Sequence, residues 1–341
     1  MELIRFERVE FAYGDTPVLC GLNLGVREHE VTVVVGSSGS GKTTVLRLIA
    51  GFEVPDKGRL VLGDEVVAEE GRVVRPPETR NVSMVFQDLA LWPHLTVGDT
   101  LDFVLGPHLS RDERRRRTSE TTTLLGLESL VHARPAQLSG GERQRLAIAR
   151  ALVTQPRILL MDEPLANLDP PLRLSLLDEI RRIHDRLGLT MLYVTHNPQE
   201  TFILGDRAVV LREGRIEQVG SPRELYDQPR TAFVASLLGR CAIVRGALQN
   251  GQLNTAMGII GSLDANGEDG SQVSLAIRPE DVYVSDDGPF EGRVERITCM
   301  GGSFEVELTG SGWRLSALVR AEPKPGSLLH FGIAKTAWLQ K

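Results

Sequence analysis

Short apolar runs along this chain repeatedly end on polar residues. Val31-Thr32-Val33-Val34-Val35 runs into Gly36, Ile158-Leu159-Leu160-Met161 ends on Asp162-Glu163, and Met191-Leu192-Tyr193-Val194-Thr195 ends on His196. Such nearly unbroken β-rich runs predict strands buried on both faces. Open α/β sheets place ligands beyond the carboxyl ends of their strands, so three strands deliver polar chemistry to one edge. Upstream, residues 1–35 alternate short apolar runs such as Leu3-Ile4-Arg5-Phe6 with turns. A helix after Lys42 carries Val45, Leu46, Leu48 and Ile49 and stops at Gly51, a residue suited to a helix C-terminus.

Between roughly 88 and 150 the period changes to that of helices, which predicts a helical subdomain inserted between strands. It contains Arg111-Asp112-Glu113-Arg114-Arg115-Arg116-Arg117. Ser110 followed by Glu113 has the spacing of a capping box, so this run reads as an exposed helix with a solvated basic face. After about 239 the texture becomes short strands, among them Ala242-Ile243-Val244, Val273-Ser274-Leu275-Ala276-Ile277, Gly292-Arg293-Val294-Glu295-Arg296-Ile297 and Phe304-Glu305-Val306-Glu307-Leu308. Glycine-rich turns, including residues 258–270, separate them and predict a small β-barrel or sandwich. The expected division is therefore an α/β domain over 1–238 and an all-β domain over 239–341.

A length of 341 residues is consistent with two cores. With 41% hydrophobic and 25% charged residues and a formal net charge of -6, the balance argues against a general grip on nucleic acid. Cys20, Cys241 and Cys299 lie far apart without metal-ligand spacing, as expected of reduced thiols. The chain begins on a strand-like segment in place of a signal peptide, and no apolar run approaches the ~20 residues that span a bilayer. Any membrane role is expected to come through a partner.

Gly36-Ser37-Ser38-Gly39-Ser40-Gly41-Lys42-Thr43-Thr44 fills every fixed position of a phosphate-binding loop between a strand and a helix. Its glycines let backbone N–H groups turn around phosphate oxygens where the helix dipole favours negative charge. Lys42 adds a cation for the outer phosphates, and the Thr43 hydroxyl is placed to coordinate Mg²⁺, an ion that prefers oxygen ligands. Asp162 is the matching metal-holding carboxylate. Glu163, one residue further out, is free to polarise an attacking water. Leu138-Ser139-Gly140-Gly141-Glu142-Arg143-Gln144 opens another helix, with Ser139 and Glu142 spaced as a capping box. Glycines and a serine at a helix N-terminus also make an anion site, and the chain already has one phosphate cradle. The second site is thus expected to serve the nucleotide of another copy.

This run of motifs resembles the ATP-binding-cassette family of transport ATPases, specifically the single-cassette subunits of bacterial importers, over residues 3–238. The resemblance implies an α/β P-loop fold with an inserted helical subdomain, and ATP hydrolysis with Mg²⁺. By it, Tyr13 stacks on adenine and Gln87 reaches Mg²⁺ and the attacking water. The loop Leu165-Ala166-Asn167-Leu168-Asp169 crosses a dimer interface, and His196 contacts the γ-phosphate while holding Glu163. Asn197 stands where importers usually carry Asp, Thr201 where Ala is common, and Ala166 where Ser is frequent; none of the three removes a catalytic group. The C-terminal segment resembles the OB-like TOBE extension of importer ATPases, most recognisably in Ala276-Ile277-Arg278-Pro279-Glu280-Asp281-Val282. Phe290, Phe304 and Trp313 do not make the basic, aromatic groove that nucleic acid requires.

The implied machine is a head-to-tail homodimer with two ATP molecules between protomers, each copy lending Ser139, Gly140, Gly141 and Glu142 to its partner's nucleotide. Permease subunits in the membrane, and indirectly a solute-binding protein, would be the partners, with the ATPase peripheral on the cytoplasmic face. An iron(III), polyamine or sulfate-type solute is the expected cargo. An exporter ATPase is the alternative, as is a non-transport cassette acting on nucleic acid or ribosomes; the latter should show a long coiled-coil insertion or two cassettes, and neither is present.

Overall fold

The computed structural model describes residues 1–250, 252–260 and 270–339. By its contacts the chain divides into two compact units, Met1–Pro222 and Arg223–Lys341. The first unit begins with β1 (Glu2–Tyr13), β2 (Thr16–Arg27), β3 (Val31–Val35), α1 (Lys42–Ala50), β4 (Lys57–Leu62), β5 (Glu65–Glu69), β6 (Arg72–Val73) and β7 (Val82–Val85). Three helices follow: α2 (Val97–Leu105), α3 (Arg111–Leu124) and α4 (Gly140–Leu152). Then come β8 (Ile158–Asp162), α5 (Pro170–Leu187), β9 (Thr190–Thr195), α6 (Pro198–Leu204), β10 (Arg207–Arg212) and β11 (Arg215–Gly220).

One sheet, ordered β2-β1-β4-β5-β6, is antiparallel. The other, ordered β11-β10-β3-β9-β8-β7, is parallel from β10 to β7. Every residue of β3, β8 and β9 is buried, as their unbroken apolar runs predict. Alternate side chains serve opposite faces. Val33, Leu159, Met161 and Met191 share a core with Leu146 and Ile148 of α4 and Leu177 and Ile180 of α5. Val34, Leu160, Leu192 and Val194 pack on the other side with Val45, Leu46 and Ile49 of α1 and with Phe6 and Leu22 of the antiparallel sheet. At ~1.5–3 kcal/mol for each fully buried aliphatic side chain, these two faces dominate the stability of the central sheet.

Helix α1 ends at Gly51, whose φ of 87° lets its N–H turn back to Arg47 O and Leu48 O. Arg80 completes that end. Its Nη1 donates to Leu48 O at 2.7 Å and Ile49 O at 3.0 Å, and Nη2 reaches Val67 O at 3.2 Å. The residues from 88 to 150 hold α2, α3 and α4 and no strand. The capping box expected at α3 is only half formed. Ser110 Oγ accepts from the Glu113 N–H at 3.2 Å, but the Glu113 carboxylate does not return to Ser110 because Arg116 and Arg117 hold it. Those pairs keep the Glu113 carboxyl down at about 2. With Arg114 also bound to Asp102 and Arg116 to Glu120, much of the basic run is neutralised locally.

The second unit takes up α7 (Pro222–Asp227) from its second residue and continues with α8 (Ala232–Leu238). Strands follow: β12 (Ala242–Gln249), β13 (Gln252–Thr255), β14 (Gly258–Ile260), β15 (Gln272–Ile277), β16 (Val282–Val284), β17 (Phe290–Cys299), β18 (Phe304–Gly310), β19 (Trp313–Val319), β20 (Leu328–Ile333) and β21 (Ala337–Leu339). They form two five-stranded sheets, β14-β13-β12-β15-β21 and β16-β20-β17-β18-β19, around one apolar core. Phe331 is fully buried there against Phe290 and Trp313. The result is an all-β, barrel-like unit. Of the turn expected over 258–270, Gly258–Ile260 is strand, and residues 261–269 lie outside the described residues.

The units divide ahead of residue 239 because α7 and α8 are fastened to the strands. Arg278 Nη1 donates to Ala235 O and Gly239 O, both at 2.9 Å, and its guanidinium lies 4.0 Å from the Tyr226 ring centroid.

Candidate active site

Parallel strands β3, β9, β8 and β7 open at the same edge, and each is followed by a residue singled out from the sequence. Val35 pairs with Thr195, Met161 with Tyr193, and Val85 with Met161. The loop over 36–41, Glu163, His196 and Gln87 therefore leave the sheet side by side. The loop passes into α1 at Gly41, whose φ of 100° is open to glycine and strained for other residues. Ser40 is buried with an unpartnered Oγ, while Ser37, Ser38 and Gly39 are exposed at the mouth.

Lys42 folds back over this loop. Its Nζ donates to Gly36 O and Ser37 O, each at 3.0 Å, and lies 3.9 Å from Glu163 Oε1. Burial lowers its pKa from the ordinary lysine value, and the Glu163 and Asp162 carboxylates oppose that shift. Thr43 Oγ1 donates to Asp162 Oδ1 at 3.0 Å. Asp162 is 6% exposed, and burial raises its pKa above the ordinary carboxylate value despite that hydrogen bond. A buried carboxylate beside a hydroxyl is a hard-oxygen donor set in need of a cation, which fits Mg²⁺. Gln87 is exposed just beyond β7, and Thr44 is buried in the first turn of α1.

Glu163 has a backbone φ of 42°, uncommon outside glycine and held here by its N–H donating to Val194 O at 3.0 Å. Its carboxylate meets His196 Nδ1 at 2.8 Å. A carboxylate only accepts, so Nδ1 carries the proton in this pair. The ring stays 60% exposed, available to a ligand at the mouth.

Ser139 forms a full capping box with Glu142 at the start of α4: Glu142 N–H donates to Ser139 Oγ at 3.3 Å, and Ser139 N–H to Glu142 Oε2 at 2.7 Å. Among the described residues, no hydrogen bond or ion pair joins 139–142 to 36–44. Gly140 and Gly141 instead face Leu168 and Leu172, on either side of Asp169, whose carboxylate caps α5 by accepting from the Leu172 N–H at 3.1 Å. Tyr13, 43% exposed at the end of β1, packs edge-on against Phe11, and its hydroxyl lies between Glu53 and Arg47. An apolar groove of about 550 Å³ lined by Leu124, Leu152, Pro156, Leu187 and Leu189 lies at the amino ends of β8 and β9, away from all of these groups.

Residues 19–166 match the ABC transporter family, and residues 275–339 match the TOBE domain. The sn-glycerol-3-phosphate import ATP-binding protein of Ruegeria pomeroyi is 41% identical, covering 89% of this chain and 85% of its own. The chain belongs to the ATP-binding subunits of ABC importers. The sulfate/thiosulfate import ATP-binding protein of Brucella melitensis is likewise 41% identical, over 91% of this chain and 87% of its own. A solved ATP-binding cassette, dimeric in a post-hydrolysis state with ADP and Pi, superposes with a TM-score of 0.57 at 29% identity over 64% of this chain and 99% of that one. This importer subunit is an ATPase and binds ATP.

Within it, Asn197 is no defect. Its Oδ1 accepts from the Gln199 N–H at 3.0 Å and caps α6, a role an amide oxygen fills as well as a carboxylate. Thr201 is fully buried with an unpartnered hydroxyl, which nothing in the structure explains. Sequence reasoning missed Arg80, Arg173 and Glu200. Only Tyr193, an aromatic hydroxyl inside a buried strand that must find a partner, signalled Glu200.

Proposed function

We propose that this ATPase works as a homodimer in which two copies sandwich two ATP molecules, and that hydrolysis powers solute import through permease subunits in the membrane. The observation that carries this reading is the split between the two nucleotide elements. Lys42, Thr43, Asp162, Glu163 and His196 converge at one sheet edge, whereas 139–142 open α4 with no hydrogen bond or ion pair to them among the described residues. A second copy arranged head to tail would supply the missing wall, with Asp169 and its loop at the seam.

In that arrangement the backbone amides of 36–44 hold the phosphates and Lys42 balances charge on the outer ones, while Tyr13 stacks on the adenine. Thr43, Asp162 and Gln87 would hold Mg²⁺, which when bound neutralises phosphate charge and orders water. Glu163 takes the proton of the attacking water, and His196 fixes its carboxylate while facing the γ-phosphate. Ser139, Gly140, Gly141 and Glu142 place a helix N-terminus against the γ-phosphate of the other copy's nucleotide.

Among the described residues no helix is long and apolar enough to cross a membrane, which fits a subunit attached peripherally to the cytoplasmic face through its permease. A solute-binding protein would act on it only indirectly, and nucleic acid has no part. For the cargo we propose an iron(III), polyamine or sulfate-type solute; relatives named for sulfate and for glycerol phosphate are equally similar, at 41% identity. The test is Glu163→Gln. It should keep ATP affinity, lose on the order of a hundredfold or more in turnover and accumulate an ATP-bound dimer in size-exclusion chromatography. Normal multiple turnover by that variant would rule Glu163 out as the base.

A further inference from the structure

Behind the His196 turn lies a buried polar ring that the steps above leave unused. Glu200 on α6 is 3% exposed, and its Oε2 accepts from Tyr193 OH at 2.9 Å and from Thr195 Oγ1 at 2.7 Å. Burial beside Glu200 drives the Tyr193 pKa well up, so its hydroxyl stays a donor. Thr195 Oγ1 also accepts from the Asn197 N–H at 2.9 Å. The backbone on both sides of His196 is thus tied to one carboxylate.

The other oxygen of Glu200 faces Arg173 on α5. Nε stops 3.8 Å from Oε1, beyond hydrogen-bond range, and is buried without a hydrogen-bond partner. Nη2 of the same guanidinium donates to Leu168 O at 2.8 Å. Leu168 belongs to the loop that starts at Glu163, where the Ala166 N–H donates to Glu163 O at 3.2 Å and the Leu168 N–H to Leu165 O at 3.3 Å. The path therefore closes on itself. Glu163 is gripped at its carboxylate by His196 and at its carbonyl by the loop that Arg173 holds. A buried carboxylate whose part-buried arginine leaves its Nε one hydrogen bond short is a poor stabilising device, and the pair is poised to tighten if the loop moves.

We infer that Glu200 and Arg173 are positioning residues that couple the His196 turn to the loop carrying Asp169, the gap between Nε and Oε1 closing when that loop meets a second copy. This inference rests on the dimeric reading above. Closure clamps the backbone around His196 and so keeps the Nδ1–Glu163 contact, already 2.8 Å in the single chain, in place in the assembled site. Glu200 and Arg173 act through His196 and Glu163 and take no part in the chemical step themselves.

The test compares Glu200→Gln, Arg173→Lys and the double variant in the full chain, beside Glu163→Gln. Gln keeps an oxygen for Tyr193 and Thr195 but loses the charge; Lys keeps the charge but cannot reach Leu168 O and Glu200 together. Rates are taken per chain able to bind ATP, so loss of folded protein does not count. Each single variant should lose about tenfold in kcat with KM for ATP unchanged, and the double should lose no more than the worse single. Wild-type kcat in both singles, or losses that multiply in the double, would overturn the inference while an inactive Glu163→Gln leaves the underlying reading standing. Multiple turnover by Glu163→Gln would overturn that reading and the inference with it.

Discussion

At the scale of single residues, the site holds charges that the protein alone does not fully compensate. Burial raises the Asp162 pKa, so folding takes up a proton between the ordinary carboxylate pKa and the higher folded one, and stability falls as pH rises through that window. At neutral pH the unliganded chain carries this cost, which a bound cation would relieve. Asp162→Asn is accordingly expected to raise the melting temperature of the nucleotide-free chain by a few degrees at neutral pH, to lose that advantage below the ordinary carboxylate range, and to abolish Mg²⁺-dependent hydrolysis. Melting curves at both pH values check it, and a lower melting temperature at neutral pH would contradict it. The residue types at this site were legible in the sequence because a phosphate loop fixes both spacing and chemistry. The left-handed backbone of Glu163 and the hydrogen bond from His196 were not, since each depends on neighbouring strands meeting 33 residues apart in the chain.

At the scale of elements, the helix behind the phosphate loop is held at both ends by groups remote in sequence. Gly51 ends α1 by its own backbone, and this the sequence announced. The second lock, Arg80, did not announce itself, because one arginine among many reads as surface until its guanidinium is found 6% exposed among carbonyls of α1 and β5. Removing it takes the donor from Ile49 O and Arg75 O, while Leu48 O keeps the Gly51 N–H and Val67 O those of Val74 and Arg75. Arg80→Ala should destabilise the chain by roughly 1–3 kcal/mol in denaturant titration, while nucleotide affinity of the folded fraction holds. A change within the scatter of a surface substitution would show that the carbonyls find other partners. The arginine run of α3 teaches the complementary lesson: Ser110 and Glu113 have capping-box spacing, yet Arg116 and Arg117 outcompete the backbone for the carboxylate. At α4, with no such competitor on the Glu142 carboxylate, the same spacing closes fully.

At the scale of the whole molecule, the proposed phosphate site at Lys42 and the second helix N-terminus at Ser139 share no hydrogen bond or ion pair among the described residues. Ser139→Arg would place a bulky cation where the partner's γ-phosphate is to sit. It should cut turnover on the order of a hundredfold while leaving nucleotide binding at Lys42 intact, as equilibrium ATP titration would report. The alternation of strands and helices foretold an α/β unit followed by a β-rich one. Where they part was harder to see, because the grip of Arg278 on α8 and Tyr226 is made across the chain and leaves no local pattern.

The central claim is that each pocket is built from two chains, and its most direct test is ATPase rate per chain measured across dilution, with light scattering recording assembly in the same samples. The rate per chain should fall in step with the dimer population. A constant rate in samples that scatter as monomers would contradict the account.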